Sequence, residues 1–211
     1  MIARNDRPRR LTPLGMAVAI TCTSSLALAQ SSVPKAQSRT NVNTWAVMAG
    51  LSQPILFGGG NVEVEYLTRN FVVGWSHGAA LQIDRFESGV SDADKAEQAT
   101  LRMPWTTGPS LGYRITNRLN VTLDLKAHRV KASLPGGSAT SYSVYTVGPA
   151  VGYNQPIGQR WFIQPLLRWW PTVGTSLTDD TAPLRRADGS LYQHKALDLG
   201  FVPNVKIGFR F

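Results

Sequence analysis

The sequence predicts an all-β fold, an eight-stranded antiparallel β-barrel that crosses a membrane with short periplasmic turns and longer extracellular loops. Three observations predict it: an export segment at the start of the chain, long stretches in which apolar and polar residues alternate, and connections of two lengths. Alternation with a period of two makes one face of a strand apolar and the other polar. No apolar run after the export segment reaches the length of about 18 residues that a membrane-spanning helix needs.

The first 29 residues have the features of a secretory signal peptide. Four arginines precede an apolar run that ends in Ala27-Leu28-Ala29, so we expect cleavage before Gln30. The one cysteine, Cys22, falls inside this segment, and a disulfide is therefore not expected in the mature chain. The predicted organisation is a signal peptide at 1–29, a periplasmic N-terminal tail at 30–42 and the barrel at 43–211.

The chain is basic, but its positive charges do not form a patch in the sequence. The chain carries a formal net charge of +9, and removal of the signal peptide would leave about +6, spread along the sequence. Such a balance suits an anionic lipid surface. With no nucleic-acid-binding motif and an exported chain, we expect no nucleic-acid partner.

Eight alternating segments account for the barrel region. They cover residues 43–51, 58–67, 71–84, 100–115, 119–132, 140–156, 161–174 and 196–211. In the first hairpin, residues 52–60 include three glycines, so the boundary between strands one and two stays open. The fifth segment alternates clearly, with Leu119, Val121 and Leu123 on its apolar face. The last runs for about sixteen residues, far beyond the usual five or six of a strand.

The connections between these segments are alternately short and long. Short turns are predicted at 68–70, 116–118 and 157–160, and longer polar loops at 84–99, 133–139 and 175–194. Transmembrane barrels have short turns on the periplasmic side and longer loops outside the cell. An even number of strands also returns the chain to the side on which it began.

Aromatic residues support a membrane interface near the short turns. The predicted interface residues are Tyr66, Phe71, Tyr113, Tyr153 and Trp161. Amphipathic rings prefer the boundary between lipid and water, so these residues would form one girdle. We expect Trp45, Trp75, Trp105 and Trp169 nearer mid-strand or at the outer rim. A soluble sheet with aromatic core residues is the alternative.

Two features conflict with regular strands. Prolines lie inside predicted strands, where each removes a ladder donor: Pro104, Pro149, Pro165, Pro171 and Pro203. We expect some of them at bulges or strand ends. Strict alternation also places His77 on the lipid face, unless a bulge near Gly78 or a position at the interface removes the conflict.

The end of the chain looks like an assembly signal for outer-membrane proteins. Asn204, Ile207, Phe209 and Phe211 follow its pattern of a polar residue and then alternating apolar residues ending in phenylalanine, although Lys206 stands where glycine is expected. The chain resembles the small outer-membrane barrels of Gram-negative bacteria, of the OmpA, OmpX and OmpW kind. The resemblance implies location in the cell outer membrane. It also implies the assembly machinery and periplasmic chaperones as biogenesis partners, and contact with outer-membrane lipids and lipopolysaccharide.

The polar face of the strands predicts a charged lumen. Its members are Glu63, Glu65, Arg102, Arg114, Asp124, Lys126, Gln164, Arg168, Asp198, Lys206 and Arg210. Charges of both signs in a narrow barrel should pair, because an unpaired buried charge is costly. Eight strands leave room for little beyond side chains, which favours a closed polar plug over a gated pore.

Catalytic and metal-binding patterns are weak. Ser76-His77, and Asp124 with His128, are loose candidates for the acyl-transfer chemistry of a lipid A-modifying enzyme. Asp92 and Asp94 lack the spacing of a calcium loop and are expected in a solvated acidic loop. We expect no cofactor, no metal and no enzymatic activity.

The sequence favours a non-enzymatic outer-membrane barrel with a structural or surface-interaction role. In this hypothesis the loops 84–99 and 175–194 meet lipopolysaccharide or an external partner. A narrow channel for small solutes is the first alternative, and a lipid A-modifying outer-membrane enzyme is the second.

Overall fold

The computed structural model describes residues 43–85 and 90–211, and the predicted signal peptide 1–29 and tail 30–42 lie outside that range. The strands are β1 (Thr44–Gly50), β2 (Gly60–Leu67), β3 (Phe71–Gln82), β4 (Thr100–Arg114), β5 (Leu119–Ser133), β6 (Ala139–Tyr153), β7 (Gln155–Pro156), β8 (Trp161–Trp170), β9 (Thr172–Thr175), β10 (Thr181–Arg185), β11 (Leu191–Lys195) and β12 (Gly200–Arg210). The helical segments are a π-helix (Gln53–Phe57), α1 (Asp92–Ala96) and two 3-10 turns (Ile83–Arg85 and Thr178–Asp180). In this part of the chain, no helix is long and apolar enough for a membrane span.

The strands close into a barrel. From β1 to β6 each strand pairs antiparallel with the next, β6 pairs with β8 and β9, and β8 pairs with β12. The ring closes where β12 returns to β1, with Ala46 opposite Arg210 and Gly50 opposite Lys206. Since β7 follows β6 and β9 follows β8 along the wall, eight strands surround the interior, and the predicted fold class is confirmed.

The polarity of the barrel is reversed relative to that of a soluble protein. Outward side chains are apolar and exposed, such as Trp75 at 55% and Leu111 at 59% of full exposure. Inward side chains include buried charges, such as Glu63 at 4% and Lys206 at 1%. A soluble protein rarely exposes a large contiguous apolar surface, so this surface is built to face a non-aqueous environment.

A bulge near the end of β3 and the start of β4 exchanges the inward and outward positions of the residues beyond it. Ala80 has a positive φ of 58° and no partner in the register, and β4 holds one extra residue between Arg102 and Trp105. A one-residue shift moves every later side chain to the opposite face. Met103 is therefore buried. Arg102, predicted in the lumen, lies exposed on the outer wall.

The same bulge does not change the face on which His77 lies. The expected irregularity near Gly78 falls at Ala80, beyond His77, so strict alternation still holds at that residue. His77 is exposed on the outer face, opposite Val62 and Thr107.

A second reversal occurs at the start of the last strand. The predicted strand 196–211 begins at Gly200, whose φ is +55°, a conformation that glycine adopts without strain. Before this residue the alternation is inverted, so Leu197 is buried and Asp198 is exposed. The lumen prediction is therefore wrong for Asp198, whose carboxylate accepts from the Thr172 backbone N–H at 3.4 Å.

Several of the in-strand prolines fall where the ladder is interrupted. Pro104 lies at the β4 bulge, and Pro171 separates β8 from β9. Pro203 lies on β12 beyond the last residue that pairs with β1. Pro165 lies between two separate stretches of pairing on β8. At these positions a missing N–H donor removes little.

The first hairpin contains a π-helix that the sequence did not predict. It buries Gln53 and Phe57 and ends at Gly58, which has a φ of 68°. Just before it, the Leu51 backbone N–H donates to the Val205 carbonyl at 2.7 Å, and the Val205 N–H donates to Ser52 Oγ at 2.9 Å. The segment therefore continues the wall where β1 stops.

The loops predicted as polar are folded over one end of the barrel. The segment 84–99 contains α1, and the segment 175–194 contains the β10–β11 hairpin. Their apolar residues join inward residues of the strands in one buried cluster, which we call the cap core. Its members are Phe57, Leu81, Ile83, Val90, Ala99, Leu101, Met103, Val130, Ala132, Leu134, Tyr142, Val144, Leu184 and Leu197.

The two ends of the barrel differ. We call the end with the short turns the turn end and the opposite one the loop end. Outward aromatic pairs mark the turn end: Trp45 with Tyr66 at 4.9 Å, Phe71 with Tyr113 at 5.7 Å, and Trp161 with Phe209 at 5.0 Å between ring centroids. Trp45 was expected nearer mid-strand or at the outer rim. It lies at the turn end, because its backbone pairs with Phe211.

Candidate functional site: the charged interior and the cap

A cluster of charged side chains fills the middle of the barrel. Glu63 on β2 accepts from Lys206 Nζ at 2.6 Å and from Arg168 Nη2 at 3.0 Å. Arg168 Nε lies 3.1 Å from Asp124 Oδ2, so one arginine bridges two carboxylates. Alternation on β2, β5, β8 and β12 turns these four residues inward, and all four are buried.

A third cation completes the cluster. Lys126 Nζ donates to Ser76 Oγ at 2.7 Å and to the Gly108 carbonyl at 2.6 Å. Trp170 Nε1 donates to Asp124 at 3.3 Å, and its ring lies 4.9 Å from the Arg168 guanidinium carbon. With Glu65, the buried interior combines three acidic with three basic side chains, namely Glu63, Glu65, Asp124, Lys126, Arg168 and Lys206. Such a balance lowers the cost of burying each charge.

The structure separates the predicted lumen residues into three groups. The buried inward residues are Glu63, Glu65, Asp124, Lys126, Gln164, Arg168 and Lys206. Arg114 and Arg210 are half-buried near the turn end, and Arg102 and Asp198 lie outside the interior. Arg102 and Asp198 were predicted in the lumen because alternation in the sequence takes no account of a bulge or of a left-handed glycine.

The turn end holds an open, basic cavity of about 380 Å³. Arg114, Arg160 and Arg210 line it. Arg114 donates to the Thr68 carbonyl at 2.6 Å, and the Arg210 guanidinium lies 4.7 Å from the centre of the Phe162 ring. Phe162 belongs to a small apolar cluster that also includes Leu67, which lines the cavity.

The histidine pairs considered for catalysis are not assembled. Ser76 faces inward and His77 faces outward. The His128 ring contacts Thr106 Oγ1 at 2.8 Å and Thr146 Oγ1 at 2.9 Å. The Asp124 carboxylate instead contacts Arg168 and Trp170, as described above. Within residues 43–85 and 90–211, no group of three His, Cys, Asp or Glu side chains is placed to hold a metal ion.

We call α1 and the β10–β11 hairpin together the cap, and a buried hydrogen-bonded chain connects it to the barrel. His194 Nδ1 lies 2.7 Å from Asp94 Oδ1, and His194 Nε2 lies 2.8 Å from the Tyr142 hydroxyl. The Tyr192 hydroxyl donates to Asp94 at 3.0 Å, and Ser91 Oγ donates to it at 2.6 Å. The chain therefore joins α1, β11 and β6. Asp94 was expected in a solvated loop, but it is 2% exposed.

Sequence reasoning missed this network because its members are far apart in the chain. His194 and Asp94 are separated by 100 residues, and Tyr142 and His194 by 52. One local signal was present. Ser91 precedes Asp94 by three residues, and its side chain caps α1 by accepting from the Asp94 N–H at 3.1 Å. That spacing predicts a helix start in place of a solvated loop.

Electrostatics hold Asp94 in its charged form. Burial acts to raise the pKa of Asp94, but the hydrogen bonds from His194, Ser91 and Tyr192 outweigh it and hold the pKa below its usual value. Burial and the hydrogen bond to Asp94 raise the pKa of Tyr192 to about 12. The Asp94 carboxylate is therefore the acceptor around which the cap is organised.

A second contact fixes the hairpin to α1. Arg186 Nε and Nη2 donate to the two Glu97 oxygens at 2.7 and 2.8 Å. The hydrogen bonds from Arg186 lower the pKa of Glu97. A two-point contact of this kind fixes orientation as well as distance.

The residues of the predicted assembly signal lie along β12. Asn204 faces inward and is buried, and Phe211 is exposed with its carbonyl bonded to the Trp45 N–H at 3.2 Å. Ile207 and Phe209 are partly exposed, on the opposite face from Asn204.

A closed eight-stranded barrel with an apolar exterior and a charged interior is the architecture of small outer-membrane proteins. Three solved structures are similar in fold. A major outer membrane protein from Thermus thermophilus has 13% identity and a TM-score of 0.45, covering 81% of this chain and 100% of that one. The attachment invasion locus protein Ail of Yersinia pestis has 11% identity and a TM-score of 0.42, covering 80% and 97%. Neisserial surface protein A has 11% identity and a TM-score of 0.43, covering 80% and 95%.

No protein-family model matches the chain, and no curated protein shows significant similarity to it.

Proposed function

We propose that this protein is a non-enzymatic β-barrel of the Gram-negative outer membrane with a structural or surface-interaction role. One observation carries the proposal: the interior is filled by mutually paired charges and covered by the cap core. A pore needs a continuous polar path. Here the Lys206–Glu63–Arg168–Asp124 chain occupies the middle of the barrel, and apolar side chains occupy the loop end.

The cap presents a folded polar surface at the loop end. Asp92, Lys95, Arg185 and Lys195 are exposed on α1 and the hairpin. The Asp94 network anchors the cap to β6, and the Arg186–Glu97 ion pair holds the hairpin against α1. A rigid surface suits recognition, because little conformational entropy is lost when a partner binds. Surface lipids or an external partner would meet this face.

Conductance and lipid chemistry test the proposal against its two alternatives. Purified protein reconstituted in planar bilayers should give no single-channel conductance steps. Protein extracted from outer-membrane fractions should migrate on a gel as a folded species whose mobility changes on heating. Reproducible conductance would favour the channel. Mass spectrometry of lipid A from cells with and without the protein should show the same acyl composition, and a shift would establish an enzyme.

A further inference from the structure

Three basic side chains lie together on the outer wall near the loop end. Arg102 on β4 is directly opposite Lys131 on β5, and Arg129 is opposite Trp105. Buried neighbours such as Leu101 and Val130 occupy the inner face, so the three cations point away from the interior. We call Arg102, Arg129 and Lys131 the basic patch.

Among the described residues, the basic patch has no acidic partner. On the adjoining strands, Arg102 is also opposite Gln82, and Lys131 is also opposite Ser141. Across the ranges 43–85 and 90–211, no ion pair includes any member of the patch. Like charges directly opposite on neighbouring strands destabilise a sheet. An external anion between them would relieve that repulsion.

The position of the patch along the strand corresponds to the head-group level of a membrane. On β4, Tyr113 lies in the turn-end girdle and Trp105 lies eight residues away, facing outward. That separation is about 26 Å along a strand at ~3.3 Å per residue, or about 20 Å across the membrane at a strand tilt of ~40°. The apolar band of such barrels is about 25 Å tall. Arg102, three residues further on, lies just beyond it.

Aromatic residues mark the same level around the wall. The outward aromatic side chains at the level of Trp105, each eight residues along its strand from a turn-end aromatic residue, are Tyr145, Trp169 and Phe201. Tyr145 is opposite Ala127, two residues from Arg129. Rings of this kind lie at the boundary between acyl chains and head groups. The basic patch lies immediately on the loop side of this boundary.

We propose that the basic patch binds a phosphate group of an outer-leaflet lipid, with the bisphosphorylated lipid A as the ligand. The patch faces the lipid side of the wall and adjoins apolar rings, which suits an anion attached to acyl chains better than a soluble one. Arg102 can donate two parallel hydrogen bonds to a phosphate, and Lys131 adds a point charge beside it. The inference rests on the outer-membrane location proposed above.

Lipid retention in nanodiscs tests the patch. Protein is inserted into phosphatidylcholine nanodiscs that contain a small fraction of bisphosphorylated lipid A, and native mass spectrometry counts the lipid A retained. The double variant Arg102→Gln/Lys131→Gln should retain about tenfold less than the wild type, as expected for losing charge-assisted hydrogen bonds. The control Arg69→Gln/Arg118→Gln removes the same charge from exposed arginines in the short turns and should retain as much as the wild type.

The remaining arms identify the ligand chemistry. Lipid A stripped of its phosphates should not be retained, and retention independent of phosphate would overturn the proposal. Phosphatidylglycerol retained as strongly as lipid A would overturn the assignment of lipid A as the ligand. Equal retention by the patch variant and the wild type, with both folded by heat-modifiable migration, would overturn this inference only. The single variant Arg129→Gln repeats the test if the double variant does not insert, and a wild type that never inserts would contradict the proposed function.

Discussion

At the scale of single residues, the most distinctive feature of this protein is the pairing of its buried charges. Glu63 makes two ion pairs, because both Lys206 and Arg168 donate to one of its oxygens. In a low-dielectric interior, a cation left without its partner is far costlier than one in water. The sequence predicted these residues as inward and mutually paired, since alternation fixes the face of each. It could not assign partners, because register between distant strands sets them.

Neutralising Glu63 should destabilise the barrel strongly. Glu63→Gln keeps the shape of the side chain but leaves Lys206 and Arg168 without a counter-charge, so we expect a loss of about 3–5 kcal/mol. The measurement is the urea midpoint of the folded barrel in detergent. Asp92→Asn, which changes a fully exposed carboxylate, should leave the midpoint nearly unchanged. Similar shifts in the two variants would show that the buried cluster contributes no special stability.

The cap should loosen in acid because of Asp94. Its pKa is held below the unfolded value, so the stabilisation is fully present above the ordinary pKa of about 3.9 and is lost as the pH falls through the folded pKa. The protection factors of the β10–β11 amides in hydrogen exchange, which are corrected for the intrinsic pH dependence of exchange, should therefore fall at low pH in the wild type. In Asp94→Asn these protection factors should be lower at neutral pH and less dependent on pH. A wild type whose exchange protection stays constant down to pH 3 would contradict this role.

At the scale of elements, irregularities decide where side chains point. The bulge at Ala80 and Pro104 and the left-handed Gly200 reverse the faces of β3, β4 and the segment before β12. Their effect is to turn Leu101, Met103 and Leu197 inward, beneath the folded loops. Sequence periodicity predicted eight strands and their turns correctly. It missed the reversals because a bulge leaves no reliable trace in a pattern of apolar and polar letters.

Cavity formation in the cap core should release the hairpin. Leu184 on β10 is fully buried in that core, and Leu184→Ala should cost about 2–5 kcal/mol of local stability. Limited proteolysis of the hairpin measures the effect, with faster cutting expected between β10 and β11. Leu191→Ala on β11 provides the matched control, since Leu191 is 58% exposed. Equal cutting rates would mean that Leu184 does not hold the hairpin.

At the scale of the whole molecule, the apolar exterior determines the environment. Leu123 points outward on β5, opposite Pro149 and so midway between the levels of Tyr153 and Tyr145, and is 48% exposed. Leu123→Arg should cost about 2–4 kcal/mol in a bilayer, as for cations near the midplane. Ile157→Arg, in an exposed turn, should cost much less. Unfolding in lipid vesicles measures both, and equal costs would show that the outer wall does not face acyl chains.

By itself, the sequence determined the architecture. Alternation of apolar and polar residues with a period of two specifies which face of each strand is apolar, and turn composition specifies the connections. The tertiary structure decided the rest. It brought Asp94, Tyr142 and His194 together across three elements, covered the loop end with residues expected in solvent, and moved Arg102 to the outer wall. These outcomes depend on register, bulges and the burial of the loops against the barrel, which are set by packing between segments distant in the chain.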